Sequence, residues 1–393
     1  MIDLLAISPA SFTAVNRSIY RELARRGWSV EIVIPTRHVM SDVAREHEPA
    51  RPGDPPIHPL APTRGNPRLH GFAGLQTLLS ARRPRLVLID NDPNSRLALE
   101  VGLWCRAHGA RLVCQSNENL TRRWLASARR GGARGLAGAL LTSVFNLGAR
   151  RLVDHVFVIS RDGQRVLTEQ GFGSVTRIPL GFDAELFRPD EALRDEARAR
   201  LGLVDPTVAY FGRLAEQKGV HLLIEALGRL RHLRFQLLLD RFSAYRSDYE
   251  RRIDDLIVDH GVADRVVRFD AKHDEMPRYM NAADLVALPS ISTPSWREQY
   301  GRVAPEAMAC GRTVIVSDSG ALPELVGDGG VIVPEGDVAA LTDAIARLLA
   351  DPARREALGR VAAARAHAEL DLRRQADLMD EVLRALVEGA RVR

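Results

Sequence analysis

Two glutamates stand eight residues apart in the stretch EQYGRVAPEAMACG, Glu298 and Glu306, with Gly301 and Pro305 between them. Proline lacks an amide hydrogen and suits a helix start, the EAMAC run is good helix material, and Gly311 reads as a stop. The spacing predicts a helix beginning near Arg302 to Ala304. The first backbone N–H groups of such a helix lack internal partners and carry partial positive charge, so the amides of Gly301, Arg302 and Val303 are expected to receive a phosphate. Two carboxylates do not help bind a phosphate. They do suit sugar hydroxyls attached to one, because hydroxyls donate to carboxylates. A lone pair of this spacing also fits a plainer reading, in which Glu306 complements the helix dipole and Glu298 is solvated. Lysine usage points the same way as the chemistry. Of 55 basic residues, Lys218 and Lys272 are the only lysines, and lysine is a compact point charge where arginine is a wide fork. Lys218 follows Gly212 and Arg213 in FGRLAEQKGV, a basic loop suited to a diphosphate whose charge grows as a glycosyl bond breaks. Lys272 lies in FDAKHDEMPRYM, a loop able to hold a nucleobase.

The elements that must position these residues alternate short β-branched runs with longer amphipathic ones, the pattern of parallel sheets with crossover helices. IDLLAIS, WSVEIVIP, RLVLID, RLVCQS, HVFVIS and SVTRIPL form a first series, with AVNRSIYRELARRG predicted as a helix stopped by Gly27. A polar connector from Leu180 to Leu203 follows. The register then restarts with TVAYFG, RFQLLLD, RVVRFD, DLVALPS, RTVIVSD and GGVIVPE. Three helical stretches end the chain, Asp337–Ala350, Pro352–Glu369 and Leu372–Leu386. The expectation is an α/β protein of two Rossmann-like domains with a cleft between them. The first spans 1–180, and a terminal helix at about 372–393 packs back on it; the second spans 181–371. Ligands are expected at the carboxyl ends of the strands. The proline-rich segment EPARPGDPPIHPLAPTRGNP is expected to be irregular.

The G-R-L-x-x-x-K-G run at Gly212 to Gly219, the DLVALPS strand ending at Ser290, the pair Glu298 and Glu306 with EAMACG, and SDSGALPELVGDGG together resemble the family 4 retaining glycosyltransferases of GT-B fold. The likeness covers roughly Ala209 to Leu349, and IPLGFDAELFRP resembles the family's interdomain segment. The resemblance implies hexosyl transfer from a nucleotide-diphosphate sugar, UDP- or GDP-linked, to a hydroxyl acceptor, in cell-surface polysaccharide or glycolipid synthesis. It implies that Arg213 and Lys218 neutralise the diphosphate, that Glu298 contacts the transferred sugar, and that Glu306 holds the ribose hydroxyls. It implies no cofactor and no metal. Asp90-Asn91-Asp92 spells a metal-binding pattern but ends a first-domain strand and is read as a loop. Epimerisation or hydrolysis of a nucleotide sugar, or binding without catalysis, are the competing readings.

The first domain departs from the family. Many members have a Gly-Gly loop after the first strand; here it is SPASFTAVNRS, and Asn16 and Arg17 are expected to line the cleft instead. The family's histidine after the fourth strand is absent. Ser116, Asn117, Glu118 and Asn119 are offered there, and each fits either sugar or acceptor contact or a capping role. Trp296 either walls the pocket or packs.

Composition narrows the partners. Through Arg188 there are 26 basic and 16 acidic residues, and beyond it 29 and 34. The densest basic part, Thr121 to Val153, holds Arg122, Arg123, Arg129, Arg130, Arg134, Arg150 and Arg151 without an acid. Leu136, Leu140, Val144 and Leu147 recur there at helical spacing. Such a helix suits an anionic membrane surface, and equally a packed helix with a solvated arginine face. Aromatics make up 5% of the chain and the second half is acidic, which argues against nucleic acid. Cys105, Cys114 and Cys310 lack metal spacing and cannot all pair, which suits a reducing compartment. No secretory signal is expected at MIDLLAISPA, and the uncharged run Gly135–Ala149 is too short to cross a bilayer. The expected location is cytoplasmic, peripheral on the inner membrane face if the basic helix binds lipid.

Overall fold

The computed structural model describes residues 2–40, 43–63, 69–120, 132, 140, 143–240 and 247–389. The chain divides into two compact units, one of residues 1–181 and 372–393, the other of residues 182–371.

The first unit is built on strands β1 (Leu4–Ile7), β2 (Val30–Pro35), β5 (Ile57–Leu60), β6 (Leu86–Asp90), β7 (Arg111–Ser116), β8 (His155–Val158) and β9 (Val175–Arg177), with a separate hairpin of β3 (Arg37–Met40) and β4 (Val43–Glu46). The seven main strands form one sheet in the order β5-β2-β1-β6-β7-β8-β9, every pairing parallel. A parallel sheet is covered on both faces, so its central strands are largely apolar; β1 and β2 are buried at every position, Glu31 in β2 included. Helices α1 (Ser18–Arg25), α2 (Leu75–Arg82), α3 (Arg96–His108), α4 (143–152) and α5 (Arg161–Glu169) lie between strands. The terminal helix Leu372–Glu388 belongs to this unit. Its Met379, Val382, Leu383 and Leu386 share an apolar cluster with Tyr20, Leu23 and Trp28, and Trp28 Nε1 donates to Asp380 at 2.5 Å.

Two expectations need correction here. The predicted helix from Ala14 is broken: Ala14–Arg17 is a 3-10 turn, and the α-helix begins at Ser18. The buried Arg17 side chain, described below, holds that turn. The proline-rich segment is not wholly irregular, because its IHPL forms β5. Pro59 is tolerated there because β5 is the edge strand, where one side of the backbone needs no ladder partner. Much of the basic segment, residues 121–131, 133–139 and 141–142, lies outside the described residues.

The second unit holds β10 (Thr207–Tyr210), β11 (Gln236–Asp240), β12 (Val266–Phe269), β13 (Leu285–Leu288), β14 (Thr313–Ser317) and β15 (Gly330–Val333), a parallel sheet in the order β12-β11-β10-β13-β14-β15. Its helices are α6 (Glu191–Leu201), α7 (Val220–Arg229), α8 (Asp248–Asp259), α9 (Met276–Ala282), α10 (Val303–Ala309), α11 (Leu322–Val326), α12 (Val338–Ala350) and α13 (Pro352–Glu369). The connector after Leu180 is therefore not only a link. It contains α6, whose Asp190 cap accepts from Leu193 N at 3.0 Å. Opposite the strands' carboxyl ends, Asp284 anchors α6 to the start of β13 through Arg194 at 2.7 Å and Arg198 at 3.4 Å.

Candidate functional site

In the second unit the chain leaves β10 at its carboxyl end and forms the loop carrying Arg213 and Lys218. Two contacts shape it. Gly212 N donates to Asp240 at the end of β11, 3.3 Å away, and the buried Tyr210 hydroxyl donates to Arg213 O at 2.8 Å. Burial and the nearby Glu298 carboxylate hold the Tyr210 phenol well above its ordinary range, so it stays a neutral donor. Arg213 is exposed on this loop. Lys218 ends a 3-10 turn, Glu216–Lys218. Its Nζ lies 2.7 Å from Glu298 Oε2 and 5.2 Å from the centroid of the Trp296 ring. Trp296 is fixed by a tight turn in which Thr293 N donates to Trp296 O at 2.7 Å.

Glu298 comes from the loop after the neighbouring strand, β13. It is buried, and its Oε2 also accepts from Ser290 Oγ at 2.8 Å. Ser290 is itself buried, and its carbonyl accepts from Ser317 Oγ at the end of β14. The Glu298 carbonyl accepts from Ala321 N at 3.2 Å. Ends of three adjacent strands thus fix one carboxylate and set one lysine against it. The structure brings Lys218, Trp296 and Glu298 together. It adds Ser290, which the sequence marks only as the end of a strand.

Gly301 leads into α10, which begins at Val303, and its carbonyl accepts from Ala304 N at 2.8 Å. Glu306 lies in the first turn and is buried. Burial pushes its carboxyl from the ordinary 4.5 up to about 7, with Arg302 opposing. A carboxylate kept dry in this way is available as a strong acceptor for a ligand hydroxyl once it ionises. Lys272 is not part of this cluster. It is exposed at the head of a turn after β12, an edge strand, and its amide donates to Glu275 at 3.0 Å.

The first-unit candidates have other duties. Arg17 was expected to face a ligand, and this is corrected. Its side chain is fully buried, donating to Ser11 O (2.8 Å), Phe12 O (3.3 Å), Glu48 O (2.6 Å) and Pro49 O (2.9 Å) and pairing with Asp54 at 3.2 Å. It ties the loop after β1 to the segment before β5. Asn16 Nδ2 donates to Ala10 O at 2.6 Å and Thr13 Oγ1 at 2.8 Å, closing the same loop. Ser116 Oγ donates to Asp92 at 2.5 Å and accepts from Glu118 N at 3.2 Å. Asn117 is exposed, Glu118 half-buried and Asn119 buried. Asp90 accepts from Ser8 Oγ at 2.8 Å. The first and third positions of Asp90-Asn91-Asp92 are thus engaged by serines at the ends of the two flanking strands.

Comparison with known proteins agrees in both units. The family model for glycosyl transferases group 1 matches residues 205–351, and that for the glycosyl transferase 4-like domain matches residues 13–181. The chain is 35% identical over 254 residues to a GDP-mannose-dependent alpha-(1-6)-phosphatidylinositol monomannoside mannosyltransferase of Mycolicibacterium smegmatis, covering 59% of this chain and 65% of that protein. It is 31% identical over 241 residues to the lipopolysaccharide core biosynthesis mannosyltransferase LpcC of Rhizobium leguminosarum bv. viciae, covering 59% and 67%. Against other curated relatives it spans about half their length. Among solved structures, sucrose-phosphate synthase of Thermosynechococcus elongatus matches with a TM-score of 0.73 at 24% identity over 99% of this chain and 100% of that one. Anabaena HepE, solved with UDP, matches with a TM-score of 0.73 at 20% identity over 98% and 100%. At these identities the structural likeness speaks to fold. With both halves matched in sequence and the whole chain matched in fold, the protein belongs to the group 1 glycosyltransferases, family 4, of GT-B fold.

Proposed function

We propose that this chain transfers a hexose, with retention of anomeric configuration, from a nucleotide-diphosphate sugar to a hydroxyl of a lipid-linked or polysaccharide acceptor. The observation that carries the reading is the Lys218–Glu298 pair at the strand ends, with the buried Glu306 in the first turn of the helix that follows, α10: a cation for phosphate and two acceptors for hydroxyls. In this reading Arg213 and Lys218 balance charge growing on the leaving diphosphate. The Gly301–Val303 amides bind phosphate, Glu306 holds the ribose and Glu298 the transferred sugar, with Lys272 toward the base. The sugar's C1–O bond to the phosphate breaks as the acceptor oxygen attacks the same face, and the leaving phosphate oxygen takes the acceptor proton. No carboxylate is assigned as a nucleophile, so trapping a sugar ester on Glu298 or any other carboxylate would replace this scheme with a two-step one.

The test is a thermal-shift panel of UDP-, GDP- and ADP-sugars. Ligand at about a hundred times its Kd adds about 2.7 kcal/mol. One base should raise the melting temperature clearly, and Lys218→Ala should remove the effect. No stabilisation by any of them overturns the reading. Incubation with donor alone separates transfer from epimerisation, which needs no acceptor.

The acceptor side rests on the named activities of the two mannosyltransferases above and on α4. Leu140, Val144 and Leu147 are each more than half exposed, with Arg150 and Arg151 exposed beside them. An apolar strip bordered by arginines suits an anionic lipid surface. Among the described residues no helix is long and apolar enough to cross a membrane. Liposomes rich in anionic lipid should sediment the protein at low salt and release it at high salt; absence of co-sedimentation removes the membrane part of the proposal.

A further inference from the structure

In the structure Lys218 is already engaged. Its ammonium and the Ser290 hydroxyl converge on one oxygen, Glu298 Oε2, at 2.7 and 2.8 Å. Glu298 itself is clamped: its carbonyl is tied to Ala321 N, and its carboxylate is buried. Lys218 is the member of the pair that can move, being a flexible stem about a fifth exposed. The Trp296 ring under the ammonium gives it a second resting surface. A diphosphate arriving at this loop must therefore take Lys218 from Glu298, and withdrawing the cation from a buried carboxylate is costly. A sugar hydroxyl donating to Glu298 offsets that loss; a nucleoside diphosphate carries no such hydroxyl.

We propose that the Ser290–Glu298–Lys218 cluster discriminates the intact sugar nucleotide from the spent nucleoside diphosphate. Ser290 acts as the positioning residue that keeps Glu298 aimed while Lys218 is on the phosphate. This rests on the donor-site reading above. The cluster sets a broken ion pair against product binding, so it favours product release after each transfer.

Calorimetric titration of UDP against UDP-glucose, GDP against GDP-mannose and ADP against ADP-glucose tests it in the full chain. Glu298→Gln frees Lys218 and is expected to tighten nucleoside diphosphate binding about tenfold while weakening the sugar nucleotide, so that the preference between them collapses. Ser290→Ala is expected to do the opposite to the diphosphate, weakening it several-fold and the sugar nucleotide less; Ser290→Thr, which keeps the hydroxyl, restores wild-type values. A merely structural role for these residues would weaken both ligands in parallel. Parallel losses, or an unchanged diphosphate affinity in Glu298→Gln, overturn the inference while leaving the donor site standing. If no pair binds the wild type, or if binding is indifferent to Glu306→Ala, the donor-site reading falls and this inference falls with it.

Discussion

Glu306→Gln is expected to abolish useful donor binding and yet make the ligand-free protein more stable above neutral pH. The carboxyl is buried, and its folded-state value is raised from 4.5 to about 7. Below about pH 4 it is protonated in both the folded and unfolded states and contributes nothing to the difference. Between the two values the folded protein holds a proton that the unfolded chain has lost, so stability falls as pH rises. Above about pH 7 the penalty is complete, at about 3 kcal/mol. Glutamine carries no charge to bury and escapes it. Thermal melts of wild type and variant should therefore coincide near about pH 4 and separate by about pH 8, with the variant higher. The same substitution removes a charged acceptor. Charge-assisted hydrogen bonds are worth about 1.5–3 kcal/mol each and neutral ones about 0.5–1.5, so turning two bonds to a ribose from charged to neutral costs about 2–3 kcal/mol in all and should weaken donor binding about a hundredfold. Wild-type affinity should also rise with pH until the carboxylate is formed at about 7 and then level off, while the variant's stays flat. A variant that melts lower than wild type at about pH 8, or that keeps its donor affinity, would show that Glu306 is paired in a way its surroundings do not reveal. This is the pattern of a group retained for function against stability.

Much of this was legible in the sequence, and for definite reasons. Parallel strands buried on both faces are near-continuous apolar runs, so LLAI, and VEIVIP with its one charged residue, Glu31, announce themselves. The glycine, proline and acid pattern around Glu298 and Glu306 is local, and α10 begins within the predicted window. What was hidden is what depends on contacts across the chain. Lys218 and Glu298 are 80 residues apart, and their pairing follows from β10 and β13 being neighbours, an order that skips β11 and β12. Ser290 looked like a strand terminus because its role lies in the direction of one hydroxyl. Arg17 misled because a buried arginine is rare. It can be buried only where several carbonyls converge, here from Ser11, Phe12, Glu48 and Pro49, and no spacing rule joins those residues. The elevated carboxyl of Glu306 is likewise a property of its surroundings.

The second large effect concerns backbone approach. Gly219→Ala and Gly320→Ala are each expected to destabilise the second unit by about 3–5 kcal/mol, at the upper end for single substitutions. Both glycines sit in the left-handed region, at φ +66° and +54°, where a side chain costs about 1–2 kcal/mol. Steric overlap costs more than this strain. A Cβ on Gly219 would lie 1.9 Å from Pro289 O, and one on Gly320 would lie 1.9 Å from Glu298 O. Both neighbours are backbone, so no rotamer change relieves the clash and the strand ends must separate. Those strand ends carry the site: the first clash pushes the Lys218 loop from the segment leading into Ser290, and the second pushes Glu298 off its seat against Ala321. Gly336 supplies the control. It has φ +75° with nothing within 4 Å of a Cβ, so Gly336→Ala should cost only the backbone strain, about 1–2 kcal/mol. Urea unfolding followed by probes in each unit should show the second unit's transition moving far earlier in the first two variants and little in the third. Equal shifts in all three would mean that the loops do not approach this closely, and that Ser290, Lys218 and Glu298 are held less rigidly than a site selecting between donor and product requires.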